Sequence, residues 1–204
     1  MNETQTVPDT RPLFHTALAQ IAPLIHALLA TDLDRPTPCS EWTVRELLSH
    51  LIAVENRIVH IAGGGLPFEV PSTLEGIADT EWSDAWRSRI APVQDALADD
   101  ALLAREWAHP AGAMPGFQAI AIYASELAVH AWDLARALGR DAELNQSVAA
   151  AVVGPITGAL PAEPRGAELG IPFGPVVPVA VDAPPYARLV GWVGRDPQWA
   201  PRAD

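Results

Sequence analysis

The sequence predicts an all-α protein, a bundle of four main helices followed by a small C-terminal appendage. Three observations carry this. Apolar residues recur at helical spacing in four separate stretches. Breaks rich in proline and glycine divide those stretches. After Pro161 the texture changes to short valine- and proline-rich runs. The expected division is therefore a bundle over 12–160 and an appendage over 161–204 that packs on it.

Each element has its own justification. Leu13, Leu18, Ile21, Ile25 and Leu28 place a first helix over 13–30, and Pro36 and Pro38 stop any helical continuation. Thr43 followed by Glu46 is a capping box, in which each side chain satisfies a backbone N–H left over at a helix start. Leu47, Leu48, Leu51, Val54 and Ile58 continue that second helix until Gly63–Gly65 end it. Residues 66–80 read as loop. Trp82, Trp86, Ile90, Val93 and Leu97 keep to one side of a third helix over about 81–98. Residues 99–115 read as mostly irregular, because His109-Pro110 and Met114-Pro115-Gly116 interrupt them. Phe117, Ile120, Ala124, Leu127, Ala131, Leu134 and Leu138 form the strongest stripe, and Gly139 supplies its stop. A weaker helix follows at about 145–159, interrupted by Gly154-Pro155. Phe173–Val179 reads as extended, and a short helix over about 184–193 closes the appendage.

Composition removes several functions. The chain carries 13 basic against 25 acidic residues, a formal charge of -12, so nucleic acid and anionic membrane surfaces repel it. Every basic residue is arginine. A P-loop, a protein kinase and a pyridoxal enzyme each need a lysine that is absent here. The single cysteine, Cys39, excludes internal disulfides and four-cysteine metal clusters, and it reads as a structural thiol rather than a nucleophile. Met1–Pro12 lacks the apolar run of a signal peptide, and no stretch is long and apolar enough to span a bilayer. The expectation is a soluble cytoplasmic protein.

Six histidines offer the remaining chemistry. Glu126 and His130 stand four apart on the fourth helix, so they share one face a turn apart. Tyr123 and Asp133 extend that stripe, which lies at the edge of the buried face and looks into a crevice between helices. A surface ion pair explains the same spacing equally simply. His50 on the second helix adds a second imidazole, and bundles build metal sites from facing helices. Two imidazoles and a carboxylate suit zinc, nickel or ferrous iron and leave coordination positions open. His15 and His26 read as boundary residues, His60 as a helix-end cation, and His109 as a loop residue. Asp133 is placed either to orient His130 or simply to pair with it along the helix.

Three motifs carry a family resemblance. Pro36-Thr37-Pro38-Cys39-Ser40-Glu41-Trp42-Thr43-Val44-Arg45-Glu46-Leu47-Leu48-Ser49-His50-Leu51 resembles the first signature of the mycothiol-dependent maleylpyruvate isomerase-like proteins of the DinB superfamily. Glu126-Leu127-Ala128-Val129-His130-Ala131-Trp132-Asp133-Leu134-Ala135-Arg136 resembles their second. Phe173-Gly174-Pro175, Asp182-Ala183-Pro184 and Gly194-Arg195-Asp196-Pro197-Gln198-Trp199 resemble the end of a metal-binding branch. The resemblance implies a DinB-like four-helix bundle holding a divalent metal, zinc first, on His50, Glu126 and His130. It implies thiol chemistry with mycothiol or a similar small thiol, in a transferase or isomerase acting on an electrophilic substrate. The appendage is shorter than the C-terminal domain of the true isomerase, so the resemblance does not by itself fix the isomerase reaction or the substrate. Arg57, two turns beyond His50, is the candidate for binding the thiol's polar groups or an acidic substrate. A metal-dependent hydrolase and a non-catalytic binding bundle stay open as alternatives, as does a homodimer.

Overall fold

A computed structural model describes residues 6–40 and 42–201. Glu41 of the first motif and the two chain ends lie outside the described residues. The elements run α1 (Arg11–Ala19), α2 (Ile21–His26), α3 (Val44–Ala62), α4 (Trp82–Ala96), α5 (Ala101–Ala104), β1 (Glu106–His109), β2 (Gly112–Pro115), α6 (Gly116–Leu138), α7 (Gln146–Ala159) and α8 (Pro185–Trp192). Among the described residues the fold is all-α apart from one two-stranded hairpin.

The bundle closes through four neighbouring contacts. α1 packs on α6, α6 meets α3, α3 packs on α4, and α4 returns to α2. One continuous core fills the centre, including Phe14, Leu47, Leu51, Ile58, Leu127 and Leu134. α7 lies against the outside of α6, and α8 lies against α7. Among the described residues no helix is long and apolar enough to cross a membrane.

The helix limits follow from local chemistry. The capping box opens α3, with the Glu46 carboxylate accepting from the Thr43 N–H at 2.8 Å. Gly139 ends α6 in the left-handed region at φ 68°, while the Arg140 N–H reaches the Ala135 carbonyl at 2.8 Å. That pairing is the Schellman arrangement, and glycine meets its backbone demand without a Cβ clash.

Three expectations need correction. The first helix divides after Ala19, because Pro23 has no N–H to bond the Ala19 carbonyl four residues back. Residues 106–115 are not irregular: they form an antiparallel hairpin pairing Glu106 with Pro115 and His109 with Gly112. Pro115 sits at an outer end of that ladder, where a missing N–H is tolerated. α7 passes through Pro155 without interruption, and the Thr157 hydroxyl bonds back to the Val153 and Gly154 carbonyls. The 173–179 segment is free of helix, as expected, and joins no sheet. Its Val177 N–H instead bonds the Gly191 carbonyl of α8 at 2.9 Å. Gly191 allows that approach, since a Cβ there would lie 2.7 Å from the Val177 carbonyl oxygen.

Several ties fasten the C-terminal segment to the bundle. The Trp192 indole N–H donates to the Leu160 carbonyl, and the Tyr186 hydroxyl donates to Gln20. The Arg136 side chain holds the Trp199 carbonyl.

One buried acid in α3 has a thermodynamic consequence. Glu55 is 0% exposed and neither carboxylate oxygen has a hydrogen-bond partner. Burial, aided by the negative charge of Glu126, pushes its carboxyl up to about 8. The folded state therefore holds this proton more tightly than the unfolded chain does. Stability should be full below the ordinary glutamate value and should fall as pH rises toward about 8. Glu55→Gln should flatten that slope, gaining on the order of a few kcal/mol over the parent at pH 9 and little at pH 4. Urea unfolding at both pH values measures the difference; parallel pH profiles would refute it.

Candidate metal centre

His50 is placed by α3, and Glu126 and His130 by α6. The i,i+4 spacing on α6 stacks the latter two one turn apart, facing α3. One potential ligand atom from each of the three lies within 4.8 Å of the others. His50 and His130 are buried, while the Glu126 side chain is 27% exposed toward the adjoining cavity. The two imidazoles meet edge to face, with ring centroids 5.0 Å apart. Trp42, just before α3, covers both rings at 4.5 and 5.7 Å.

Hydrogen bonds select the tautomers. His50 Nδ1 lies 2.8 Å from the Ser72 carbonyl, which can only accept, so Nδ1 carries a proton. His130 Nδ1 likewise donates to Asp133 Oδ2 at 3.0 Å. In each neutral ring the lone pair is then on Nε2. Second partners of this kind are what orient histidines that hold metals. Arg195, in the turn after α8, reaches both Asp133 oxygens at 3.2 and 3.3 Å. Burial acts to raise the Asp133 carboxyl, but Arg195 and His130 outweigh it and hold it below the usual aspartate range. Burial holds His130 below its ordinary value, favouring the neutral ring.

The contact between His50 and Glu126 tests whether a cation fits. His50 Nε2 and Glu126 Oε1 are 3.1 Å apart. With the His50 proton committed to Ser72, a neutral ring would turn a lone pair toward a carboxylate oxygen. Two acceptors that close need positive charge between them, either a second proton on His50 or a metal ion. Burial alone would raise the Glu126 carboxyl. With both rings protonated, the hydrogen bond from His50 and the positive fields of the two histidines and Arg57 lower it to about 2. The donor set of two nitrogens and one carboxylate fits a divalent ion.

A cavity of about 510 Å³ adjoins Glu126 and His130. Glu126, His130, Arg57 and Arg195 line it together with apolar side chains that include Ile156, Leu160 and Phe173. The crevice expected beside α6 is thus present, and Arg57 reaches it. The remaining histidines divide. His15 is half-buried, His26 is exposed and bonded to Ser83, and His60 pairs with Glu69 at 2.7 Å. His109 lines the cavity instead. Sequence reasoning did not single out Arg195, Ser72 or the covering role of Trp42. Arg195 lies inside the third motif, which was the available signal; the Ser72 carbonyl has no side-chain signature at all.

Two relatives are uncharacterised proteins of Mycobacterium tuberculosis, from the CDC 1551/Oshkosh and ATCC 25618/H37Rv strains. Each is 28% identical over 174 residues, covering 85% of this chain and 91% of its own length. No solved structure gives a significant match. The sequence model of the mycothiol maleylpyruvate isomerase N-terminal domain matches residues 14–135, a span that contains His50, Glu126 and His130. Because that match takes in more than half of the chain, the protein belongs to the mycothiol maleylpyruvate isomerase N-terminal domain family.

Proposed function

We propose that this protein binds a divalent metal, zinc first, on His50, Glu126 and His130, and uses it to activate a small thiol of the mycothiol type for transfer or isomerisation. The observation that carries the reading is the convergence of one ligand atom each from His50, Glu126 and His130 within 4.8 Å of one another, beside an open cavity. The family match supports a thiol as the partner of the metal. A bound divalent ion provides Lewis acidity, which lowers the affinity of a thiol for its proton from a free pKa of about 8.5.

The chain's own residues do the rest. Ser72 and Asp133 fix the two rings with their Nε2 lone pairs presented. Arg195 keeps Asp133 ionised, so Asp133 accepts from His130 and does not compete as a donor. Trp42 covers the imidazoles and limits water on that side. Arg57 offers a guanidinium to polar groups of the thiol or substrate, and the apolar wall holds the electrophile's carbon skeleton.

Elemental analysis of purified protein should find about one zinc per chain, and His130→Ala should lose most of it, since two ligands rarely retain a labile ion. Asp133→Asn should keep the metal but weaken affinity about 10–100-fold, measured by chelator competition. Unchanged affinity in both variants would remove His130 from the ligand set. Affinity should also fall with pH, because protons compete for Nε2.

Thiol activation has a spectroscopic test. Cobalt-substituted protein should gain a sulfur-to-metal charge-transfer band when mycothiol or a simpler thiol is added, and the band should weaken as pH falls. A fully loaded cobalt protein with no such band would exclude thiol activation and favour a hydrolytic or purely binding role.

A further inference from the structure

Beside the proposed ligands, Arg57 and His109 on the cavity wall, with Tyr123 packed against His109, hold polar groups whose hydrogen-bonding capacity is unspent. Arg57 is 9% exposed, and its buried Nε has no partner. Among the described residues its guanidinium makes no hydrogen bond or ion pair. The His109 ring lies at the tip of the hairpin and also lines the cavity. His109 Nδ1 accepts from the Ala111 N–H at 3.0 Å, so the ring proton of neutral His109 is on Nε2. That Nε2 is buried and unpartnered. Tyr123, one turn before Glu126 on α6, stacks edge-on against His109 with centroids 4.9 Å apart. Its hydroxyl is buried and unpartnered as well.

Three separate elements, α3, the hairpin and α6, thus bring one cationic and two neutral donors into one region. A buried donor left without an acceptor is destabilising, and more so when the group is charged. Glu126 acts on His109 and Tyr123 only at a distance and is engaged with His50. No protein acceptor among the described residues meets these donors, so a ligand carrying an acceptor would complete their bonding.

We propose that Arg57, His109 and Tyr123 form a carboxylate subsite, which takes the single carboxylate of a small organic acid with an apolar carbon skeleton. It rests on the metal and thiol reading for the reaction served, but not for the binding itself. One guanidinium and two neutral donors match one negative charge spread over two oxygens. A phosphate, with nearly twice the charge, would be repelled by Glu126. A second carboxylate finds no free cation, because Arg195, the other arginine on the wall, is already paired with Asp133. Beyond the donors the lining turns apolar at Val129, Ile156, Leu160 and Phe173, where a carbon chain fits.

Isothermal titration of the full chain with butyrate and benzoate, and with their amides as neutral isosteres, tests this. Both zinc-loaded and chelator-treated protein are titrated. The acids should bind in both forms, at least about tenfold more tightly than the amides. Arg57→Gln should reduce acid binding about tenfold or more. Tyr123→Phe, which keeps the ring contact, and His109→Gln should each reduce it several-fold, so the proposal is still testable if Arg57→Gln fails to fold. Acid binding seen only with zinc present would make the metal the acceptor's partner and overturn the subsite. Equal binding of amides, unaltered binding in the folded variants, or no acid binding at all would overturn it too. The chelated arm does not depend on metal or thiol, so its failure is separate from failure of the zinc and cobalt experiments.

Discussion

Two imidazoles and a carboxylate held between helices are tolerable only if each polar atom has a partner, and that requirement organises the structure around α3 and α6. His50 gives its Nδ1 proton to the Ser72 carbonyl, and His130 gives its own to Asp133. These two bonds turn both Nε2 lone pairs inward toward Glu126. The loop between α3 and α4 is thereby held to α3, since the Ser49 hydroxyl and the Leu74 carbonyl also bond there. The capping box that opens α3 sets where His50 falls in the helix, and it follows directly on Trp42, whose ring covers the site.

The C-terminal segment belongs to this same arrangement. Asp133 is fully buried, and an unpaired carboxylate there would be costly. Arg195 neutralises it from beyond α8. The path to Arg195 depends on close backbone packing, with Gly191 against Val177 and Gly194 against Gly174. Gly194 also sits at φ 84°, where a side chain would be strained. An apparently peripheral strap thus supplies the counter-charge that keeps a histidine-orienting aspartate ionised.

The polar residues around the cavity differ in how fully they are paired. Asp133, Arg195 and both site histidines are held by protein partners. Arg57, His109 and Tyr123 have idle donors, while Glu55 stays buried with none to receive. Fixed partners suit a scaffold that must not move, and idle donors suit a place where a ligand completes the bonding. Glu55 fits neither pattern, and its burial favours the protonated acid.

The sequence by itself determined the helices whose limits are set by neighbours in the chain. The Thr43–Glu46 box, the Gly139 stop and the apolar stripes of α3, α4 and α6 are all local, and so is the stacking of Glu126 over His130. The two motifs made the three-residue constellation legible before any packing was known. What escaped was settled by contacts between distant residues. The hairpin at 106–115 depends on cross-strand pairing that glycine and proline signals alone read as loop. Pro155 could stay inside α7 because neighbouring helices hold that helix in place, so a local breaker was overridden. Ser72, Arg195 and His109 have no helical periodicity to mark them. Only the closing of the bundle, hairpin and C-terminal strap decided which atoms face the cavity, because burial and partner geometry are set there rather than by spacing along the chain.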